Sequence, residues 1–448
     1  MRRGSIKYRV AAVVVALLTL GSTERLSAQF VVPNDLKRCL EIGLESSYEL
    51  QITKNEEQEA TNNASYLNSG ALPTLDLSGG YDIDADRVGV NYAAGGGTKY
   101  FQNDQALDAW LGLSWTIFDG FEIKTNYARL RELESRSKVE TRIAIEDYIA
   151  NLTAEYYNYI QQQNRLKNLK KAVELSKERL RIVRARYMVG NFSRLDYQQA
   201  NVDFNVDSAD YIIQREVLKS SAIKLNEMMA SKDTNSEVAI RDTLISVDLA
   251  MDYKDIKYAM ESNNAEIIYA EYETSISKLD RKIITARDYP YAKLSADYGA
   301  VHNFYNRGTT KSDRRFGLDA AVTVGVTLFD PQRRTTRRNA DLAIKSAELN
   351  EADVALKLNS QLNDLWQAYI NNIGLLHLEK SSLGAAQENY EIAMERYMLG
   401  NLSGIEMREA QKSLLDAEDR ILSATFNTKI CEISLMQISG QVTQYLGE

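Results

Sequence analysis

The chain has 448 residues and a formal net charge of −8, a balance that excludes a strongly basic nucleic-acid binder. With 2 His and 2 Cys a His/Cys metal cluster or a redox relay is nearly excluded. Its 4 Pro and 23 Gly are too few to punctuate the several compact domains that this length suggests.

At the N-terminus Arg2, Arg3, Lys7 and Arg9 precede an apolar run, Val10 to Leu20, and Leu26-Ser27-Ala28-Gln29 follows. This is the pattern of a secretory signal peptide over residues 1–28, cleaved after Ala28. The run falls short of the ~20 residues of a membrane-spanning helix. The mature chain is therefore exported and acidic. Cys39 and Cys431 lie near its two ends. Export permits a disulfide between them, and two buried thiols are the alternative. Cys39 lacks a lipoprotein context, so no lipidation is expected.

Residues 75–85 alternate: Leu75, Leu77, Tyr81 and Ile83 face one way, Asp76, Ser78, Asp82 and Asp84 the other. Residues 109–117 set Ala109, Leu111, Leu113, Trp115 and Ile117 against Gly112, Ser114 and Thr116. In the second half Leu294, Ala296 and Tyr298 oppose Lys293, Ser295 and Asp297, and residues 316–328 alternate from Phe316 to Leu328. A period of two predicts strands with one apolar face. Their length fits the ~9–11 residues of a tilted membrane strand. The hairpins are placed at 75–118 and 291–329.

Long helices follow each hairpin. Residues 121–187 hold no Pro or Gly, and residues 332–398 hold only Gly374 and Gly384. At ~1.5 Å per residue each helix spans about 100 Å, which implies a coiled coil or a helical tube. Gly190-Asn191 and Gly400-Asn401 end the two helices. Ser193 with Asp196, and Ser403 with Glu406, have capping-box spacing for the return helices.

The chain is duplicated. Arg186-Tyr187-Met188-Val189-Gly190-Asn191-Phe192-Ser193 recurs as Arg396-Tyr397-Met398-Leu399-Gly400-Asn401-Leu402-Ser403. Thr116-Ile117-Phe118-Asp119-Gly120 recurs as Thr327-Leu328-Phe329-Asp330-Pro331, and Leu72-Pro73 as Tyr289-Pro290. The two repeats are placed at 29–250 and 251–448, each reading helix, hairpin, long helix, tight turn, helix. Two hairpins give four strands, and four cannot close a barrel. An open edge in lipid leaves backbone groups unpaired, so the membrane reading forces oligomerisation.

The signal peptide, the duplicated layout and the Tyr-x-x-Gly turns resemble the TolC-like outer-membrane efflux protein family, over essentially the whole mature chain. The resemblance implies a mostly α fold with a membrane β-barrel: a homotrimer with a 12-stranded barrel in outer-membrane lipid and a long α-helical tube in the periplasm. It implies an equatorial belt, placed at 30–50, about 231–275 and 430–448. It implies an exit duct for efflux or type I secretion, docked on a periplasmic adaptor served by an inner-membrane RND or ABC pump. No cofactor is implied. The turns become the periplasmic tips, with Tyr187, Gly190, Asn191, Tyr397, Gly400 and Asn401 as adaptor contacts. Tyr397, Glu406, Glu409 and Asp196 match the family's gate. Glu406 and Glu409 share a helix face, so threefold repetition predicts a ring of six carboxylates. Leu402 stands where the family has Arg, with Arg194 and Arg408 as possible substitutes.

Arg333, Arg334, Arg337 and Arg338 follow the last strand, as barrel anchors or as a solvated helix start. Trp110, Trp115 and the loop-flanking tyrosines are candidates for an interfacial girdle, with core packing as the alternative. The Gly-rich stretch 89–98 lacks the Lys-Ser/Thr of a phosphate loop and reads as an external loop. His302 is placed in the other external loop and His377 on a helix. No catalytic constellation appears, and no enzyme is expected. The alternative reading is a periplasmic coiled-coil structural or adaptor-like protein.

Overall fold

A computed structural model describes residues 35–240 and 242–447; the expected signal peptide and its cleavage point lie outside them. The first half holds α1 (Leu36–Ser46), α2 (Tyr48–Asn63), a π turn at Leu67–Ala71, β1 (Thr74–Asn91), β2 (Gly97–Phe118), α3 (Glu122–Met188) and α4 (Arg194–Met228). The second half repeats the order with α5 (Tyr253–Asn263), α6 (Ala265–Ala286), β3 (Tyr291–Phe304), β4 (Ser312–Gly325), α7 (Pro331–Met398) and α8 (Gly404–Ile438), then a 3-10 turn at Val442–Leu446.

The helix expected before each hairpin is two helices. Ser47 (ψ 123°) and Asn264 (ψ 126°) leave helical geometry and cap the helix that follows. Both residues are common caps because a side-chain oxygen takes an otherwise orphaned N–H. The duplicated Phe-Asp motif has a similar explanation. Asp119 Oδ2 accepts from Ile123 N at 2.8 Å, and Asp330 Oδ1 accepts from Gln332 N at 2.9 Å, so each Asp starts a long helix. Pro331 then sits at the first helical position, where its missing N–H costs nothing.

The long helices α3 and α7 run 67 and 68 residues. α3 packs against α2, α4, α6 and α8, and α7 against α6 and α8. The main core lies midway along α3, where Ile149, Leu152, Tyr156 and Ile160 meet Leu40, Leu50, Leu225 and Val442. Tyrosine hydroxyls tie the irregular segment after α4 to this core and, through Tyr369, to a second one around Leu362 and Met260. Tyr156 Oη donates to Asp242 at 2.6 Å, Tyr159 Oη to the Val238 carbonyl at 3.0 Å, and Tyr369 Oη to the Asp248 carbonyl at 2.6 Å. The excess of Tyr over Phe thus has a structural use: the ring fills core and the hydroxyl satisfies loop backbone.

Helix α7 leaves an apolar row uncovered. Leu342, Leu349, Leu356 and Ile370 are all exposed at seven-residue spacing or its multiple. Val202, Val206, Ile213 and Val217 are exposed on α4. A heptad row without a facing helix is half of a coiled-coil seam.

The sheet has order β1-β2-β3-β4, all antiparallel. Its register aligns the two faces across all four strands. Leu77, Leu111, Tyr298 and Leu318 stand opposite one another in one row, and Asp76, Gly112, Asp297 and Asp319 in the next. Alternate rows therefore build an apolar face and an acidic face.

Four expectations are corrected here. β1 and β2 continue through Asn91 and from Gly97, so of the Gly-rich stretch only 92–96 is turn. His302 lies in β3 opposite Leu107 and Arg314, not in a loop, because the β3–β4 ladder runs on to Phe304. β4 ends at Gly325 rather than Leu328, since the ladder with β3 closes at Tyr291. Trp110 falls in the row of Ser78, Gly299 and Gly317 on the polar face, so it cannot share a lipid-facing girdle with Trp115.

Cys39 and Cys431 are free, buried thiols in separate core clusters. Burial pushes the Cys39 thiol up to about 12. Neither should react with a water-soluble thiol reagent at pH 8 in the folded chain, and both should react in guanidinium. Thiol titration before and after denaturation measures this.

Candidate functional site at the helical turns

The two duplicated turns are built alike. Gly190 (φ +83°) and Gly400 (φ +82°) adopt the left-handed conformation that favours glycine. The Gly190 and Asn191 N–H groups donate to the Tyr187 and Arg186 carbonyls at 3.0 and 2.9 Å. At the second turn, those of Gly400 and Asn401 donate to Tyr397 and Arg396 at 3.1 and 2.9 Å. This is the Schellman pattern, which satisfies the last carbonyls of the helix. A Cβ added at either glycine would meet nothing within 4 Å, so backbone geometry alone calls for Gly within one chain.

The returns begin with capping boxes. Ser193 N donates to Asp196 Oδ2 at 3.0 Å and Asp196 N to Ser193 Oγ at 3.1 Å. Ser403 N donates to Glu406 Oε2 at 3.0 Å and Glu406 N to Ser403 Oγ at 3.2 Å. Asp196 and Glu406 are thus both engaged locally. The Ser403 hydroxyl, and then its backbone N–H, hold the Glu406 carboxyl below the usual carboxylate value of 4.5. Glu409, one turn along, is exposed.

Between the turns lies a small core of Val183, Ala200, Ala393, Tyr397, Met407 and Ala410. Tyr397 is only 1% exposed, so it belongs to this core rather than to a surface open for contact. Burial pushes its phenol up. Tyr187 is instead partly exposed and stacks on Tyr197 with ring centroids 5.6 Å apart. Met188, Val189, Leu195, Met398, Leu399 and Ile405 are exposed around the two turns. This apolar rim was missed in the sequence, because Met, Val and Leu beside a helix end look like ordinary core positions.

Two hairpins meet here, α3–α4 and α7–α8, and polar contacts join them. Arg408 of α8 gives both Asp207 oxygens on α4 a hydrogen bond, at 2.7 and 2.8 Å. Arg186 Nη2 donates to the Met398 carbonyl at 3.0 Å, with its guanidinium over the Phe192 and Tyr397 rings. Higher up, Arg165 of α3 meets Asp419 of α8 at 2.9 Å. Within the first hairpin, buried Arg179 pairs with Asp203. The sequence named Arg408 as one of two substitutes for the missing Arg. Arg194, the other, is an exposed residue at the start of α4.

At the opposite end, Arg333 reaches Asp288 and Asp330 at 3.5 Å each, and Arg337 also pairs with Asp288. These arginines tie the start of α7 to the end of α6.

Comparison with known proteins agrees with this layout. The model of the family "Outer membrane efflux protein" matches residues 40–231 and 258–441. The outer membrane protein TolC of Vibrio cholerae is 20% identical over 399 residues, 84% of each chain. The Campylobacter jejuni CmeC outer membrane channel superposes with a TM-score of 0.75 at 16% identity, over 91% of this chain and 85% of that one. The open state of the Neisseria gonorrhoeae MtrE outer membrane channel gives 0.70 at 14% identity, over 90% and 88%. The periplasmic coiled-coil alternative is set aside, since the match takes in the sheet as well as the helices. The chain belongs to the outer membrane efflux protein family.

Proposed function

We propose that three copies of this chain form a closed duct, with twelve strands in the membrane and a helical tube below it, gated at the tips of the tube. The chain is an outer-membrane channel protein, not an enzyme, and its helices extend into the periplasm. The observation that carries the proposal is the pair of open features in one chain. The sheet has unpaired edges at β1 and β4, and α4 and α7 expose apolar rows. Edges in lipid must close, and heptad rows seek a facing helix. A second copy supplies both.

In this reading residues 35–50, 231–275 and 430–447 form the belt around the tube. The exposed rim of Met188, Val189, Leu195, Met398, Leu399 and Ile405, with Tyr187, Gly190, Asn191, Gly400 and Asn401, receives the periplasmic adaptor of an RND or ABC pump. Tyr397 supports that rim from beneath. Glu406 and Glu409 ring the entrance and favour cations, and the arginine contacts between hairpins hold it closed. That a neighbour was solved in an open state fits a gate of this kind.

The test is conductance of the purified protein in a planar bilayer, beside Glu406→Gln/Glu409→Gln. The parent should pass a small, cation-selective current, and the double variant should lose most of that selectivity. The pH dependence has a definite sign. Because the Glu406 pKa is lowered, its charge and its capping contribution are full above the ordinary carboxylate value of 4.5 and are lost as pH falls through the lowered one. The Glu406 share of the selectivity should therefore be lost only as pH falls through its lowered value. A purified trimer whose selectivity ignores both glutamates would remove the acidic ring. A protein that never inserts would remove the duct.

A further inference from the structure

A cavity of about 210 Å³ lies just above the tip, between α3, α7 and α8. Arg179, Tyr390, Tyr397, Gln411 and Glu178 line it, and the remaining wall is apolar, including Ile182 and Met394. Four of these five polar side chains share an unusual property. Arg179 Nε and Nη1, Tyr390 Oη, Tyr397 Oη and Gln411 Nε2 are buried and have no hydrogen-bond partner. Three of these residues are almost completely enclosed: the Arg179 side chain is 6% exposed, Gln411 2% and Tyr397 1%.

Buried polar groups are nearly always paired, because an unpaired one costs about 1–3 kcal/mol. Five such atoms on four residues that line one cavity point to a missing partner. All five can donate, through N–H or O–H. The carboxylates nearby are already engaged: both Glu178 oxygens take Arg181, at 2.8 and 2.6 Å. Asp203 takes Arg179 Nη2 on one oxygen and Gln199 Nε2, at 3.0 Å, on the other. Both Asp207 oxygens take Arg408. The surplus is thus of donors, one of them a guanidinium, and a matching ligand must bring acceptor oxygens.

The size and wall fix the rest. At ~30 Å³ per water the space equals about seven waters, more than one halide fills. Filling it with solvent would wet the apolar wall. Ligand sites are commonly apolar with a few placed polar groups.

We propose that this cavity binds a small organic anion: a carboxylate whose oxygens accept from Arg179, Gln411 and the tyrosines, on an aromatic or branched aliphatic body that fills the apolar end. The site touches both helical hairpins, so a bound ligand bridges them. It is independent of the duct reading, since it requires only the packing of α3, α7 and α8.

The experiment is ligand-observed fluorine NMR with 4-fluorobenzoate and the detergent-purified full chain. Saturable binding of one probe per chain is expected. Gln411→Leu should weaken it about tenfold. Tyr390→Phe should weaken it severalfold while keeping the ring packed, which preserves a test if Gln411→Leu fails to fold. Met394→Trp should abolish binding by occupying the space. Circular dichroism and oligomer size serve as folding controls. Absence of saturable binding to the folded parent overturns the proposal. So does an affinity that all folded variants share. Competition by acetate or chloride as effective as that by unlabelled benzoate overturns it too, because the site would then take only an inorganic or bodiless anion.

Discussion

Arg408→Leu should destabilise the tip by about 3–5 kcal/mol and open the channel. The magnitude follows from what the substitution leaves behind. The Asp207 side chain is 4% exposed and both of its oxygens rest on Arg408. Removing one partner of a buried pair strands the other charge, which costs far more than the pair itself contributes. The bond joins α8 to α4, and so one helical hairpin to the other. With it gone, the hairpins are held at the tip by the small core around Tyr397 and by Arg186 on the Met398 carbonyl. Single-channel conductance should rise severalfold, and the tip should become more sensitive to protease. Asp207→Leu/Arg408→Leu should recover most of the stability, since it leaves no stranded charge, but should keep the raised conductance. If the double variant closes again, stability and gating are one effect and Arg408 is no latch.

A charge placed on the apolar face of the sheet should prevent assembly in the membrane. Leu111 sits in the row Leu77, Leu111, Tyr298, Leu318, and all four side chains are exposed in a single chain. Arg at the middle of a lipid-facing strand costs about 2–4 kcal/mol, and threefold symmetry would repeat that cost in each copy. Leu111→Arg should therefore leave little protein in the outer-membrane fraction. Ser295→Arg, three rows away on the polar face, should insert nearly as the parent does. Quantitative immunoblotting of membrane fractions compares them. Equal loss for both would mean that the rows do not sort lipid from lumen.

Much of this architecture was legible before any coordinates. Two stretches of 67 and 68 helical residues follow from the absence of breakers, and their ends from Gly-Asn followed by Ser. What misled were ends set by pairing rather than by composition. Gly89 and Gly97 look like loop, yet they pair with Lys99 and Asn91, because a ladder tolerates glycine when the strand opposite continues. His302 pairs with Leu107 and Arg314 because the ladder runs on to Phe304. The break at Ser47 is part of the repeat: Asn264 stands 217 residues later, the offset that separates Pro73 from Pro290.

The sequence by itself determined the layout: export, duplication, two hairpins, four long helices and capped turns. These depend on local propensity and periodicity, which act between residues near in the chain. Only the tertiary structure decided which charges meet. Arg408 and Asp207 are 201 residues apart, and Arg179 and Asp203 are 24 apart on separate helices. Nothing local in a run of exposed-looking Arg and Asp says which of them helix packing will bury. The same holds for Tyr397, which the repeat makes equivalent to Tyr187. Packing against Val183 and Met407 buries the one and leaves the other partly exposed. Burial of this kind depends on how two hairpins fit together, and that fit is a property of the folded chain.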